Sequence, residues 1–300
     1  MYGVPITLVF ACDDTYAQHA HVAITSVIRY NVKHKLRVFI LVPIEFKYEK
    51  LMEDDLGQQC ELVFIRVPAE MIGSVKVTGH ISETAYFRIL IGDLLPPSIH
   101  RVIYLDCDLI VSGDIEPLWS IELGDKIVGA VPDAIVKSDE NLKYRLGLQL
   151  NDEYFNSGVM LINLKQWRNL NIGAQVMDFC HNRWDLISYW DQCALNYIFR
   201  ANYLVLDENW NSQQWYLSKS GKLKKNLIPT IVHFVTGRKP WLYDHRPPMA
   251  HLYWKVLRLT PWRNYKPPGR TPSSFVRKWG KILAPEIFVN YRRIMIRRKF

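Results

Sequence analysis

The chain has 300 residues, of which 49% are hydrophobic and 22% charged, a balance that predicts a globular protein with one substantial core or one core and an appendage. It contains no uninterrupted run of about 18 apolar residues, and no basic stretch precedes the short apolar segment 4–11. The sequence therefore predicts neither a spanning helix nor a signal peptide, and we expect a cytoplasmic protein.

The charge of the chain is unevenly distributed. Residues 1–236 hold 22 Lys and Arg against 27 Asp and Glu, whereas residues 237–300 hold 16 against 2. The basic end favours phosphate-rich partners, which include anionic lipid, nucleic acid and nucleotide ligands. The five cysteines are an odd number without C-x-x-C spacing, so reduced thiols are expected rather than a disulfide scaffold.

Seven apolar segments have the length and composition of strands: Ile6–Ala11, Leu36–Val42, Glu61–Val67, Val102–Leu105, Lys126–Val131, Gly158–Leu164 and Thr230–Val235. The segments Tyr16–Tyr30 and Ser82–Leu94 have helical periodicity. Strands alternating with helices predict a mainly parallel sheet covered on both faces, with ligands bound beyond the carboxyl ends of the strands. From about residue 246 prolines break the chain, which predicts a catalytic domain over 1–245 and an arm over 246–300.

Two acids interrupt the apolar stretch Arg101–Val111. Asp106 and Asp108 are two positions apart, so in extended geometry both carboxylates project to the same side. Two like charges in an apolar frame favour a cation between them, and oxygen ligands suit magnesium or manganese. An aspartate-nucleophile phosphatase is the alternative enzyme class, but its motif normally closes the first strand, and here three strand-like segments come earlier.

The strand-like segment that ends at His233 offers a third ligand. An added imidazole favours manganese, although a lone His at a strand end is ordinarily structural. The turn that follows contains Gly237 and Lys239, which supply backbone donors and a point charge suited to phosphate oxygens.

Polar residues follow the first strand and lie in two later segments. Asp13 suits hydrogen bonds from a base or ribose, whereas Asp14 or Thr15 is expected to cap the next helix. The segments 154–158 and 189–192 carry amides and carboxylates that suit the hydroxyl groups of a hexose.

Seven segments in order from about residue 6 to 241 resemble glycosyltransferase family 8, and within it the bacterial lipopolysaccharide and lipooligosaccharide galactosyl- and glucosyltransferases. They read FACDDTY, HISETAYFRIL, RVIYLDCDLIV, PLW, YFNSGVMLINLKQW, WDQCALN and HFVTGRKPW. The resemblance implies an α/β GT-A fold, a Rossmann-like mixed sheet that binds a nucleotide sugar, with helices on both faces and a basic helical C-terminal arm. It also implies a UDP-sugar donor, a saccharide or glycolipid acceptor, bound manganese and retention of anomeric configuration.

The resemblance assigns roles to individual residues. The metal would be held by Asp106, Asp108 and His233, and the uridine pocket would be lined by Ala11, Asp13 and Thr15. The diphosphate would be contacted by Gly237 and Lys239. The donor sugar would be surrounded by His80, Arg88, Asn156, Asp191 and Gln192, with Asp133 near the acceptor. The family usually has Gly at the position of Thr236. Asp191 is the candidate nucleophile, and Gln192 is the candidate to stabilise an oxocarbenium-like centre.

The basic arm allows two interpretations. Its tryptophans and phenylalanines are suited to stacking on nucleic-acid bases. Apolar residues from 275 to 295 nevertheless recur at helical spacing beside Arg and Lys, as in a helix at a lipid interface. We therefore expect peripheral binding to an anionic membrane and no nucleic-acid partner, with docking on the protein's own core as the remaining alternative.

Overall fold

The computed structural model describes residues 4–73, 75, 82–136, 139–213, 228–243, 245, 247–268 and 271. Its strands are β1 Ile6–Ala11, β2 Leu36–Pro43, β3 Glu61–Val67, β4 Arg101–Leu105, β5 Leu109–Val111, β6 Val128–Pro132, β7 Phe155–Asn163, β8 Leu204–Val205, β9 Ser212–Gln213 and β10 Ile231–His233.

The α-helices are α1 Ala17–Tyr30, α2 Glu49–Leu56, α3 Ile91–Leu94, α4 Glu116–Trp119, α5 Glu140–Arg145, α6 Leu164–Asn169, α7 Ile172–Asn182, α8 Trp190–Phe199 and α9 Ala250–Leu257. Within the described residues, 3₁₀ helices span Ala69–Met71, Glu83–Leu90, Trp184–Leu186 and Glu208–Trp210. The helix predicted over Ser82–Leu94 is thus a tight 3₁₀ segment that continues into α3.

A seven-stranded sheet with the order β3-β2-β1-β4-β7-β6-β8 forms the centre of the fold. Strands β1 to β4 are parallel, whereas β7 runs antiparallel to both β4 and β6. The predicted α/β fold with a mainly parallel sheet is confirmed. The strands β5, β8 and β9, with two or three residues each, were not predicted. The strand β10 is equally short, but it lies within the longer apolar segment Thr230–Val235 that was predicted.

Both faces of the central strands are covered. In β1 the residues Ile6 to Phe10 are all buried, although alternate side chains of a strand point to opposite faces. One face packs into a core with the 3₁₀ helix Glu83–Leu90 and with α6, α7 and α8. This two-sided burial explains why β1 reads as a continuous apolar run rather than an alternating pattern.

The chain divides into two compact units, residues 1–233 and 234–300. In the second unit, Trp254 of α9 donates a hydrogen bond from Nε1 to the Pro240 carbonyl at 3.0 Å. The predicted interfacial helix over residues 275–295 lies outside the described residues, and the functional boundary at residue 245 stays a prediction. Among the helices of the described part of the chain, none is long and apolar enough to cross a membrane.

Candidate metal centre and sugar-binding cluster

The two sheets meet at Asp106-Cys107-Asp108. Asp106 follows β4, and its amide donates to the Gly158 carbonyl of β7 at 2.8 Å. Three residues later, at Leu109, β5 begins in the second sheet, which has the order β5-β10-β9. The antiparallel register of β5 and β10 pairs Leu109 with His233, and this pairing brings a residue far along the chain beside Asp108.

Asp106, Asp108 and His233 form one cluster. Each offers one ligand atom, and these atoms all lie within 4.8 Å of one another. The His233 Nε2 atom is 3.0 Å from Asp108 Oδ1 and 3.8 Å from Asp106 Oδ2. His233 is buried and both aspartates are half-buried, so the cluster opens towards solvent on its carboxylate side.

A chain of hydrogen bonds fixes the tautomer of His233. The Gly158 amide donates to Asn156 Oδ1 at 3.1 Å, and Asn211 Nδ2 donates to the same oxygen at 2.9 Å. Asn211 therefore presents its Oδ1 to His233 Nδ1 at 2.9 Å, so that Nδ1 carries the proton. With the proton on Nδ1, the Nε2 lone pair faces the Asp108 carboxylate at 3.0 Å, and a cation between these two acceptors would satisfy both.

The donor set fits a divalent metal ion. Two carboxylate oxygens and one imidazole nitrogen suit magnesium or manganese, with the nitrogen favouring manganese. The hydrogen bond on the far side of the imidazole is the usual means of orienting a metal-binding histidine. The residues present therefore form a possible Asp-Asp-His metal site.

Gly158 is required at this position by the closeness of the cluster. A Cβ atom added there would lie 2.2 Å from His233 Cε1 and 2.6 Å from Asp106 Oδ2. Both distances are far inside van der Waals contact, so any side chain at 158 would displace two of the three candidate ligands.

Arg88 connects the metal cluster with Asp191. Its Nη1 lies 3.1 Å from Asp106 Oδ1, and its Nε lies 2.9 Å from Asp191 Oδ2. Nε itself donates to the Ala85 carbonyl at 3.0 Å, so the contact with Asp191 is electrostatic and leaves Oδ2 without a hydrogen bond. Burial opposes the charge on Arg88, but Asp106 and Asp191 outweigh it and raise the pKa of the guanidinium.

Asp191 is held in a buried position at the start of α8. Burial raises the pKa of its carboxyl group from 3.8 to about 6; Arg88 opposes the shift and Asp106 adds to it. A carboxylate with this elevated pKa is a candidate for chemistry as well as for structure.

Asp133, Asn156 and Gln192 form a hydrogen-bonded group beside Ser157. Asp133 Oδ2 accepts from Asn156 Nδ2 at 3.0 Å and from Gln192 Nε2 at 3.2 Å. Gln192 Oε1 accepts from the Ser157 amide at 3.1 Å. Because β7 runs antiparallel to β4, residues 155–158 begin β7 at the edge where β4 ends, and the predicted sugar-handling residues of both segments meet there.

The residues after β1 lie at the same edge of the sheet. Cys107 donates from Sγ to the Ala11 carbonyl at 3.1 Å, and Asp13 Oδ1 accepts from the Tyr16 amide at 3.0 Å. The expectation that Asp14 or Thr15 caps the next helix is wrong. No side chain caps α1, which begins at Ala17, and Asp14 instead accepts from the Lys47 amide at 3.0 Å.

Three predicted site residues lie outside the described part of the first unit. His80 lies outside the described residues. Gly237 and Lys239 belong to the second unit, in which Lys239 Nζ donates to the Phe234 carbonyl at 2.8 Å. In the turn between them and His233, Thr236 has φ 75°, the left-handed conformation that favours glycine, at the position where the family usually has glycine.

Two residues near the cluster have no counterpart in the sequence prediction. Asn211 orients His233, but its neighbours along the chain show no periodicity or motif. Burial raises the pKa of the Tyr16 hydroxyl, and the nearby carboxylates of Asp108 and Asp106 add to the effect, so this ring borders the acidic cluster. Tyr16 lies within FACDDTY, but neither its residue type nor its spacing signals such a role.

Comparison with solved structures identifies the class of the fold. The chain superposes on the crystal structure of the galactosyltransferase LgtC in complex with donor and acceptor sugar analogs with a TM-score of 0.78 and 27% identity, covering 86% of this chain and 99% of that one. The fold, with its seven-stranded central sheet, is thus that of a GT-A type glycosyltransferase.

The sequence comparison identifies the family. The chain matches the profile described as Glycosyl transferase family 8 over residues 7–245, and it belongs to glycosyltransferase family 8. It is similar to General stress protein A of Bacillus subtilis strain 168, with 31% identity over 279 residues, covering 87% of this chain and 96% of that protein.

A second relative has a more specific name. The chain is 22% identical over 295 residues to Lipopolysaccharide 1,2-glucosyltransferase of Escherichia coli K12, covering 95% of this chain and 87% of that protein. The predicted resemblance is confirmed. The phosphatase alternative has no support, because Asp106 follows the fourth strand rather than the first.

Proposed function

We propose that this chain is a retaining, metal-dependent glycosyltransferase that moves a hexose, galactose or glucose, from a UDP-sugar to a saccharide acceptor. The observation that carries the proposal is the gathering of Asp106, Asp108 and His233 at the carboxyl edge of the sheet. The names of the relatives support the substrate class, since LgtC is a galactosyltransferase and one Escherichia coli relative is a glucosyltransferase.

The metal would be manganese, with magnesium as a possible substitute. When bound, such an ion neutralises negative charge on the departing nucleoside diphosphate. Lys239 and the backbone around Gly237 would contact the diphosphate, so no protonated side chain is needed for the leaving group. Ala11, Asp13 and Thr15 would line the pocket for uridine.

The surroundings of Asp191 and Gln192 support attack from the face that the diphosphate leaves. Asp191 is only 4% exposed and lies at ion-pair distance from Arg88, which makes it a poor nucleophile. Gln192 is partly exposed, and its carbonyl oxygen is fixed by the Ser157 amide, so it is the better group to stabilise an oxocarbenium-like centre. His80, Asn156 and Asp133 would complete the sugar-binding surroundings.

The acceptor would be the core of lipopolysaccharide or of another surface glycan, presented at the inner face of the cell membrane. The basic arm over residues 246–300 would bind that anionic surface, which places the enzyme in the cytoplasm as a peripheral membrane protein. The charge of residues 237–300, with 16 Lys and Arg against 2 Asp and Glu, supports this part of the proposal.

The proposal is tested by incubating the purified protein with manganese and a panel of nucleotide sugars, and by following nucleotide release with and without lipopolysaccharide core fragments. We expect release from UDP-galactose or UDP-glucose, faster with the acceptor. The Asp106→Asn variant should lose nearly all of this release. Near-normal turnover in that variant would exclude the metal assignment, and no release from any nucleotide sugar by the unmodified protein would exclude sugar transfer.

A further inference from the structure

A cleft lies in the first unit, between two 3₁₀ helices and the start of α8. Its volume is about 180 Å³, and its lining includes Tyr86, Trp184, Asp185, Ser188 and Trp190. None of the lining residues belongs to the Asp106, Asp108 and His233 cluster. The cleft therefore offers space for a ligand group other than the one that the metal contacts.

The walls of this cleft belong to the elements that carry the sugar-binding residues. Tyr86 lies two positions before Arg88 on the 3₁₀ helix Glu83–Leu90, and Trp190 directly precedes Asp191 in α8. Burial raises the pKa of the Tyr86 hydroxyl, with further contributions from Cys180 and Asp191, so the Asp191 carboxylate lies close to the Tyr86 wall. The cleft lining thus includes the residue that directly precedes Asp191, one of the residues predicted to surround the donor sugar.

The lining combines aromatic faces with polar groups. Trp184 is 53% exposed, which is unusual for the largest apolar side chain, and Trp190, which is partly buried, lines the same cleft. Asp185 and Ser188 add a carboxylate and a hydroxyl group. A sugar ring has apolar C–H faces and a rim of hydroxyl groups, so it stacks on aromatic rings while its rim binds carboxylates and hydroxyls.

The backbone of Trp190 is strained. Its φ is 43°, a left-handed conformation that bulky L-residues rarely adopt. Strain of this kind persists where the surrounding structure requires it and is concentrated at binding sites. Here the strained residue lines the cleft and directly precedes Asp191.

We infer that this cleft is an acceptor subsite, which binds a saccharide ring of the acceptor beside the donor-sugar position and uses Trp184 and Trp190 as stacking faces. The inference rests on the proposed function, because it names the substrate group that this sugar-sized cleft accommodates. It also predicts that the acceptor has at least two sugar residues, one in the cleft and one that presents the attacking hydroxyl group.

The test compares Trp184→Ala with Trp184→Phe, which keeps an aromatic face. Because Trp184 is half-exposed, neither replacement opens the core. With core oligosaccharide released from lipopolysaccharide as the acceptor, Trp184→Ala should raise the KM for the acceptor about tenfold, an effect of the size that one lost stacking contact produces. Trp184→Phe should restore most of it, and the KM for the UDP-sugar should stay within about twofold in both variants.

Tyr30→Ala is the matched control, since Tyr30 is an aromatic residue 43% exposed at the end of α1, away from the cleft. It should leave both KM values unchanged. Equal acceptor KM values for Trp184→Ala and the unmodified protein would overturn the subsite.

A binding measurement separates this inference from the proposed function. Saturation-transfer NMR with the same oligosaccharide should show contacts from the protein to a sugar ring, and these should be weakened in Trp184→Ala but not in Tyr30→Ala. If the unmodified protein releases UDP from no sugar nucleotide, sugar transfer fails, and the NMR result still decides the cleft. Oligosaccharide signals that are absent, or unaffected by Trp184→Ala, would reject it.

Discussion

His233 Nε2 lies 3.0 Å from Asp108 Oδ1, although 125 positions separate the two residues in the chain. The closeness results from the pairing of β5 with β10. Asn211 holds the proton of the imidazole on the other ring nitrogen, Nδ1, and so leaves Nε2 as an acceptor.

Replacement of Asn211 by Ala should weaken manganese binding about 10- to 100-fold, because the imidazole loses the partner that orients it. Asn211→Asp keeps the acceptor oxygen and should retain more of the affinity. Isothermal titration with manganese measures both variants. Unchanged affinity in Asn211→Ala would show that the tautomer of His233 does not depend on this residue.

Gly158→Ala should abolish manganese binding, since the added Cβ would overlap His233 and Asp106. Gly124→Ala is the control: Gly124 also has a demanding backbone, with φ +59°, but nothing lies within 4 Å of its added Cβ. That control should lower the free energy of unfolding by about 1 kcal/mol through backbone strain and leave metal binding intact. Metal binding retained in Gly158→Ala would contradict the close packing of the cluster.

Arg88→Met should lower the free energy of unfolding by about 3–5 kcal/mol, because it leaves Asp191 buried without its countercharge. Chemical denaturation measures the loss. Adding Asp191→Asn to this variant should recover part of it, since the uncompensated charge is then gone. If the double variant is as unstable as the sum of the two single variants, the two side chains act independently and the ion pair has no structural role.

Asp191 should make stability depend on pH. Its folded-state pKa of about 6 exceeds the ordinary 3.8, so between these values the folded state binds the proton that the unfolded state has released. Stability from this group is therefore present below about pH 4 and lost as the pH rises to about 6, by about 3 kcal/mol in total. The quantity to measure is the difference in the free energy of unfolding between the unmodified protein and Asp191→Asn, determined from pH 4 to 8. A difference that does not vary with pH would contradict the raised pKa.

Deletion of residues 270–300 should release the protein from vesicles that contain anionic lipid, because these residues carry most of the basic and apolar side chains of the arm. Co-sedimentation at low and moderate salt measures the binding, and uncharged vesicles serve as the control. Vesicle binding that survives the deletion would show that the membrane contact lies elsewhere. Tight, salt-sensitive RNA binding by the full chain would favour the nucleic-acid interpretation instead.

Much of the fold follows from local sequence patterns. The strand predictions at Ile6–Ala11 and Glu61–Val67 match β1 and β3 at both ends, since segments of strand length rich in Val, Ile, Leu and Phe mark strands. The predicted cap of α1 was wrong because Tyr16 is the N-cap residue of this helix and Asp14 accepts from the distant Lys47 amide instead, a contact that the local sequence does not show. The antiparallel direction of β7 could not be predicted either, because the periodicity of apolar residues indicates burial and not strand direction.

The sequence by itself determined which residues are the candidates for the chemistry. The sequence shows two acids within one apolar stretch and a histidine at the end of another. These patterns predict the burial of the three residues and their approximate position at strand ends. Only the tertiary structure decided that they meet, which amide orients the histidine, and why Gly158 is needed between them. Those relations depend on strand order and register, and long-range pairing of this kind is set by packing of the whole domain rather than by any local preference of the chain.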